Sequence, residues 1–258
     1  MIKKRYCFTI DDNIRFLKEL TRRKEASLFE HPYTRLLKDL HEKYGVKMQL
    51  NLFYQEGDFT LSDMTDCYRE EWKNNADWLK LSFHSIKEND CPYAQSTYEE
   101  VYRDCQTVQK EILRFAGADS LAKTTTVHYC KTTRAGVKAL KDNGVQGLLG
   151  LYGTKENPRV SYACTSEEGE KLREGGVVRY DGVAFLGIYA VLNTFTLEQI
   201  KTRLERIESP VVSVMIHEQY FYPDYFAYQK DFAEKLQTTF SILAKKGYES
   251  KFFEEMIV

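Results

Sequence analysis

The chain alternates almost throughout between short apolar runs of strand character and longer stretches of helical periodicity. Strands separated by helices of about 10–20 residues build βαβ units, and these build parallel sheets covered by helices. Strand-like runs fall at 5–10, 46–54, 79–83, 124–127, 145–151 and 211–216. Helical segments are expected from about Ile14, over 33–44 up to Gly45, over 98–115, over 134–143 up to Gly144, over 197–207, and over 227–246. The helix at 98–115 carries an apolar stripe of Val101, Cys105, Val108, Ile112 and Phe115, a Thr97/Glu100 capping box and a stop at Gly117. Thr196 and Gln199 form a second capping box. Residues 152–190 interrupt the alternation, being rich in glycine and charge, and 177–180 with 183–188 read as a hairpin turning at Asp181-Gly182. A short last strand is expected near 251–253. Six or seven such strands point to an α/β fold, an incomplete (β/α) barrel with parallel strands. An open doubly wound sheet is the rival. With no internal repeat and no Pro/Gly/Ser linker, 1–258 reads as a single domain.

Composition narrows the function. At 43% hydrophobic and 29% charged residues the chain can bury a core, and 37 Lys+Arg against 38 Asp+Glu leave no electrostatic footprint for nucleic acid. No apolar run reaches the roughly 18 residues of a membrane span. The opening MIKKRYCFTIDD meets two aspartates too soon for a signal peptide, so a cytoplasmic protein is expected. The 6 cysteines (7, 67, 91, 105, 130 and 164) include no CxxC pair and read as reduced core thiols. Tyrosine is abundant at 18 against 2 Trp, a residue that suits sugar rings and interfaces equally.

In parallel α/β folds the chemistry gathers at the C-terminal ends of the strands. Asp11 and Asp12 follow the first strand-like run, His84 the third, His128 the fourth, and His217 with Glu218 the run at 211–216. Three of the 5 histidines thus share one kind of position. His31 and His41 fall at the start of a helix and within it, where capping or solvation suffices. Each strand-end residue has a plain alternative. Asp11, Asp12 and Asn13 could cap the next helix, one histidine could bond to backbone, and Glu88 could pair with Lys87. Their convergence on one rim argues for a site. A carboxylate with imidazoles matches a divalent metal, zinc or a first-row neighbour. A second carboxylate could take a proton from water, and an opposing imidazole could give one to a leaving group.

With these residues in view, the sequence resembles the polysaccharide deacetylase (NodB-homology) family, carbohydrate esterase family four and its relatives. That family's T-F-D-D motif looks like Thr9-Ile10-Asp11-Asp12, which implies that Asp11 is the general base and Asp12 a metal ligand. Its H-[ST]-x-x-H motif looks like His84-Ser85-Ile86-Lys87-Glu88, so His84 and Glu88 would complete the ligand set. Its L-x-H motif looks like Met215-Ile216-His217, with His217 the general acid. Where the family has R-x-P-Y this chain has His128-Tyr129-Cys130-Lys131, so the arginine that orients the base is absent, and the tryptophan-bearing motif has no match. His128 is the reserve ligand, in which case Glu88 would hold His84 from behind. The resemblance implies an incomplete barrel and one divalent ion, zinc first, with cobalt, nickel or manganese as alternatives. The implied activity is removal of N- or O-acetyl groups from a carbohydrate. The aromatic run from Tyr220 to Tyr228 would offer Tyr220 and Tyr222 for stacking on a sugar, or would pack the last long helix. The competing functions are a catalytically silent carbohydrate-binding protein and a metal-dependent amidohydrolase with a non-sugar substrate.

Overall fold

The computed structural model describes residues 3–88 and 92–257. In chain order the strands are β1 (Arg5–Asn13), β2 (Met48–Phe53), β3 (Gln55–Glu56), β4 (Phe59–Thr60), β5 (Leu79–Ser85), β6 (Thr124–Thr125), β7 (Gly147–Gly150), β8 (Val177–Tyr180), β9 (Val183–Val191), β10 (Val211–His217) and β11 (Glu249–Ser250). The helices are α1 (Arg15–Arg23), α2 (Pro32–Tyr44), α3 (Arg69–Asn74), α4 (Tyr98–Phe115), α5 (Arg134–Asp142), α6 (Ser166–Arg173), α7 (Leu197–Glu205) and α8 (Phe232–Lys245).

One sheet runs in the order β5-β2-β1-β10-β9-β7-β6, and every neighbouring pair along that path is parallel. Its two edges meet. Leu81 of β5 bridges in parallel to Leu121, and the Ala122 N–H donates to the Leu81 carbonyl at 2.8 Å. The sheet is therefore a nearly closed barrel ringed by helices, and the open doubly wound alternative falls. β8 pairs antiparallel with β9, β11 extends β1, and β3 with β4 forms a small separate hairpin.

Alternation along the strands sorts side chains into two layers. Tyr6, Phe8 and Ile10 of β1, and Val212, Val214 and Ile216 of β10, face outward into the main core with the apolar stripes of the helices. Each such side chain contributes about 1.5–3 kcal/mol on burial. The inward residues change character along the barrel. Cys7, Leu149, Leu186, Phe253 and Ile257 plug one end. Thr9, Gln49, Asn51, Ser82, Thr124 and Ser213 make a buried polar middle. Asp11, His84 and His217 stand at the C-terminal mouth.

Three local readings change. β1 runs on to Asn13, β5 to Ser85 and β10 to His217, so these polar residues end the strands rather than follow them. The hairpin at Asp181-Gly182 exists, but its second strand is also a barrel strand, and α6 lies in a stretch where no helix was expected. α8 starts only at Phe232, because after a 3-10 turn at Glu218–Phe221 the chain runs through turns and bends over 222–231, and the last strand is Glu249–Ser250. Among the described residues no helix is long and apolar enough to cross a membrane. Cys7, Cys105, Cys130 and Cys164 are free and buried, Cys67 is free and exposed, and Cys91 lies outside the described residues.

Candidate metal and hydrolytic site

The site begins with a bulge in β1. The register against β2 passes from Ile10↔Leu50 to Asn13↔Leu52, so β1 carries one extra residue there. Asp12 takes up the irregularity with φ 62°, a left-handed conformation that aspartate tolerates better than most residues. On a regular strand Asp11 and Asp12 would point to opposite faces. The bulge lets both line the same cleft.

Opposite them, His84 is the last residue but one of β5, and the turn after β6 carries His128. Asp12 Oδ1 lies 3.0 Å from His84 Nε2 and 3.4 Å from His128 Nδ1, and the two imidazole nitrogens are 3.1 Å apart. All three residues are buried, and they form the one such cluster of possible metal ligands among the described residues. The Thr126 carbonyl accepts from His84 Nδ1, which leaves the Nε2 lone pair facing the cluster. Asp12 Oδ1 has no hydrogen-bond partner, and Gln219 holds the other oxygen at 2.7 Å. A tetrahedral ligand sphere with bonds of about 2.0–2.1 Å needs ligand atoms about 3.3 Å apart. This triangle, its two imidazoles and its orphaned carboxylate oxygen fit a divalent cation.

The electrostatics agree. Burial alone would raise Asp12, yet the adjacent imidazoles of His128 and His84 hold it well below the usual carboxylate range. Burial would lower His84, but Asp11 and Asp12 raise it above an ordinary histidine. The cluster selects one positive charge, which a proton or a metal ion can supply.

Asp11 and His217 are paired across β1 and β10. Burial pushes the Asp11 carboxyl up, against the nearby His84 and His217 and a 2.6 Å hydrogen bond from Asn51 Nδ2. Asn51 is held in turn by Gln49 Nε2 at 2.7 Å, and Gln49 by Thr124 Oγ1 at 2.8 Å. His217 Nδ1 donates to Asn193 Oδ1 at 2.9 Å, so its Nε2 is the nitrogen left for chemistry. Glu218 accepts from the N–H groups of Ile14 (2.8 Å), Arg15 (3.1 Å) and Phe16 (2.8 Å). It thereby caps α1 in place of Asp11, Asp12 or Asn13 and frees them for the cleft.

The cleft has two lobes of about 1080 and 430 Å³ that share Asp12, Glu88, Gln219 and Tyr225. Glu88 is exposed at their common mouth and is not part of the Asp12–His84–His128 cluster. Its spacing of four residues would align it with His84 on a helix, but β5 leads into a bend that carries it outward. Left-handed Tyr129 and Cys130 mark the turn that presents His128 instead. Tyr220 lines the larger lobe. Tyr222 does not, because it is turned into the core, where its hydroxyl donates to Glu218 at 2.8 Å. His31 caps α2 by accepting from the Tyr33 N–H, and His41 stacks on Trp78, both away from the cleft. Asn51, Asn193, Glu218 and Gln219 were not anticipated as site residues. Two of them carry a signal in the sequence, Asn51 as a polar residue inside an apolar strand and Glu218 as the neighbour of His217 at a strand end.

No protein-family model and no curated protein matches the chain by sequence. Solved structures do match by shape. A family 4 acetyl xylan esterase from Clostridium thermocellum, in complex with a cobalt ion, superposes with TM-score 0.54 at 14% identity, over 98% of this chain and 90% of that one. A carbohydrate esterase family 4 pseudoenzyme from Bacillus anthracis gives 0.53 at 12% identity, over 99% and 66%. A 4-alpha-glucanotransferase from Thermococcus litoralis gives 0.61 at 13% identity, over 99% of this chain and 40% of the other. The fold is therefore the barrel of the family 4 deacetylases. Since the same barrel serves other activities, the function has to be argued from the site.

Proposed function

We propose that the chain is a metal-dependent hydrolase that removes an acyl group, N- or O-acetyl, from a carbohydrate. The observation that carries this reading is the buried Asp12–His84–His128 triangle beside the strand-paired Asp11 and His217. Asp12, His84 and His128 would hold one divalent ion, zinc by the donor set, which when bound polarises an acyl carbonyl and acidifies water. Asp11 takes the proton of the attacking water, with Asn51 fixing one of its oxygens. His217, oriented by Asn193, gives a proton from Nε2 to the departing amine or alkoxide as the acyl bond breaks. The products are the carboxylic acid and the deacylated sugar. Tyr220 and Tyr225 offer the sugar flat faces at the mouth.

A second reading, a silent carbohydrate-binding protein, draws on the hydrogen-bond partner of Asp11, which is the neutral Asn51 amide where the resemblance calls for an arginine. Acetate release from acetylated sugars by the zinc-loaded protein decides between them. Release that is lost in Asp11→Asn supports hydrolysis, and binding without release supports the silent reading.

A further inference from the structure

We propose that the larger lobe is an anion subsite, in which Lys131, Arg159 and Arg203 receive a carboxylate or phosphate group carried by the acylated substrate. The inference deepens the hydrolase reading and rests on it. All three cations line the lobe, which also contains His84, His217 and the carboxylates Asp11, Asp12 and Glu88. Among the described residues none of the three lies within 4.0 Å of a carboxylate. By contrast Arg15, which borders the smaller lobe, is neutralised by Glu19 at 3.2 Å and Asp224 at 2.6 Å. Lys131 and Arg159 are exposed to the cleft solvent.

Arg203 is fixed in advance. Its Nε and Nη2 donate to the Tyr189 carbonyl at 2.9 and 2.6 Å, and its guanidinium stacks over the Tyr189 ring at 4.5 Å. A neutral sugar needs none of this positive charge. An anion would satisfy it through charge-assisted hydrogen bonds, for which guanidinium geometry suits carboxylate and phosphate alike. A lobe of about 1080 Å³ has room for such a group beyond the acyl group being removed. The substrate class is therefore an acylated sugar bearing an acidic substituent.

The test measures binding by calorimetry to the zinc-equilibrated Asp11→Asn protein, in which hydrolysis is blocked. The probes are N-acetylglucosamine, its 6-phosphate, and the corresponding N-acetylated uronic acid. At least one anionic probe should bind about tenfold tighter than the neutral one, and high salt should shrink the difference. A Lys131→Ala/Arg159→Ala double variant should abolish the preference, whereas a preference arising from anion–zinc contact would survive it and overturn the proposal. Equal binding of the three probes, or no binding of any, also overturns it. A tighter 6-phosphate identifies a phosphate site, and a tighter uronic acid a carboxylate site. Anion preference without acetate release from any probe by the wild-type zinc protein would leave the subsite standing and refute the hydrolase reading.

Discussion

Replacing Glu218 by glutamine removes the acceptor that holds the start of α1 against the end of β10. Its two oxygens serve four donors, the N–H groups of Ile14, Arg15 and Phe16 and the Tyr222 hydroxyl, at 2.8 to 3.1 Å. Glutamine keeps one oxygen for the Ile14 and Arg15 N–H groups and turns its NH₂ toward the Tyr222 hydroxyl, which can accept it, so the Phe16 N–H is the donor that loses its partner. At about 1–3 kcal/mol for a buried unpaired donor, Glu218→Gln should cost about 1–3 kcal/mol. That is a large part of the about 5–15 kcal/mol a folded domain has. The cost depends on pH, because burial pushes the Glu218 carboxyl from 4.5 up to about 7. A carboxyl raised in the folded state contributes its stability fully below the unfolded value and loses it as pH rises through the folded one. Across that window wild type should lose about 3 kcal/mol from this group, and the glutamine variant should lose none of it. The deficit of the variant should therefore be largest near about pH 5 and smaller near about pH 8. Urea denaturation of both proteins at those two pH values measures it. A variant within about 0.5 kcal/mol of wild type at both would refute the capping role of Glu218.

Asp11→Asn should abolish acetate release while zinc stays bound, because Asp12, His84 and His128 remain; loss of zinc from that variant would move Asp11 into the ligand set. His217→Ala should slow substrates with poor leaving groups most, and an equal loss across a leaving-group series would exclude it as the acid. Asn51→Leu should lower stability by about 1–3 kcal/mol and move the carboxylate limb of the kcat/KM profile to higher pH. Asp11, already raised by burial, would lose the donor that opposes that shift. An unmoved limb would mean that Asn51 does not set the ionisation of Asp11.

The barrel could be read from sequence where burial and periodicity act together. α4 carries its stripe and its capping box as written, and β1, β5 and β10 lie where apolar runs predict them. β9 was obscured because one strand pairs both with its hairpin partner and with the barrel, and local alternation records only the first. Asp11, Asp12, His84 and His217 stood out as polar residues at the ends of apolar runs. What the sequence hides is direction. Whether Glu88 or His128 meets Asp12 depends on a bend after β5 and on left-handed Tyr129, neither of which has a composition signal. Asn193 and Gln219 reach the site from turns that are defined only by packing. Tyr222 follows a 3-10 turn and is buried with its hydroxyl on Glu218, a placement that an aromatic run does not encode.

On the proposed function, Asp12, His84 and His128 hold one divalent cation in front of Asp11 and His217. Zinc-binding isotherms of wild type, His128→Ala and Glu88→Ala decide whether this ligand set is right. Wild type should bind one zinc per chain, more weakly as pH falls, because protons compete at the raised His84. His128→Ala should weaken binding by about a hundredfold or more, and Glu88→Ala should leave the isotherm unchanged. Loss of zinc in Glu88→Ala with retention in His128→Ala, or no zinc bound by wild type, would rule out this ligand set.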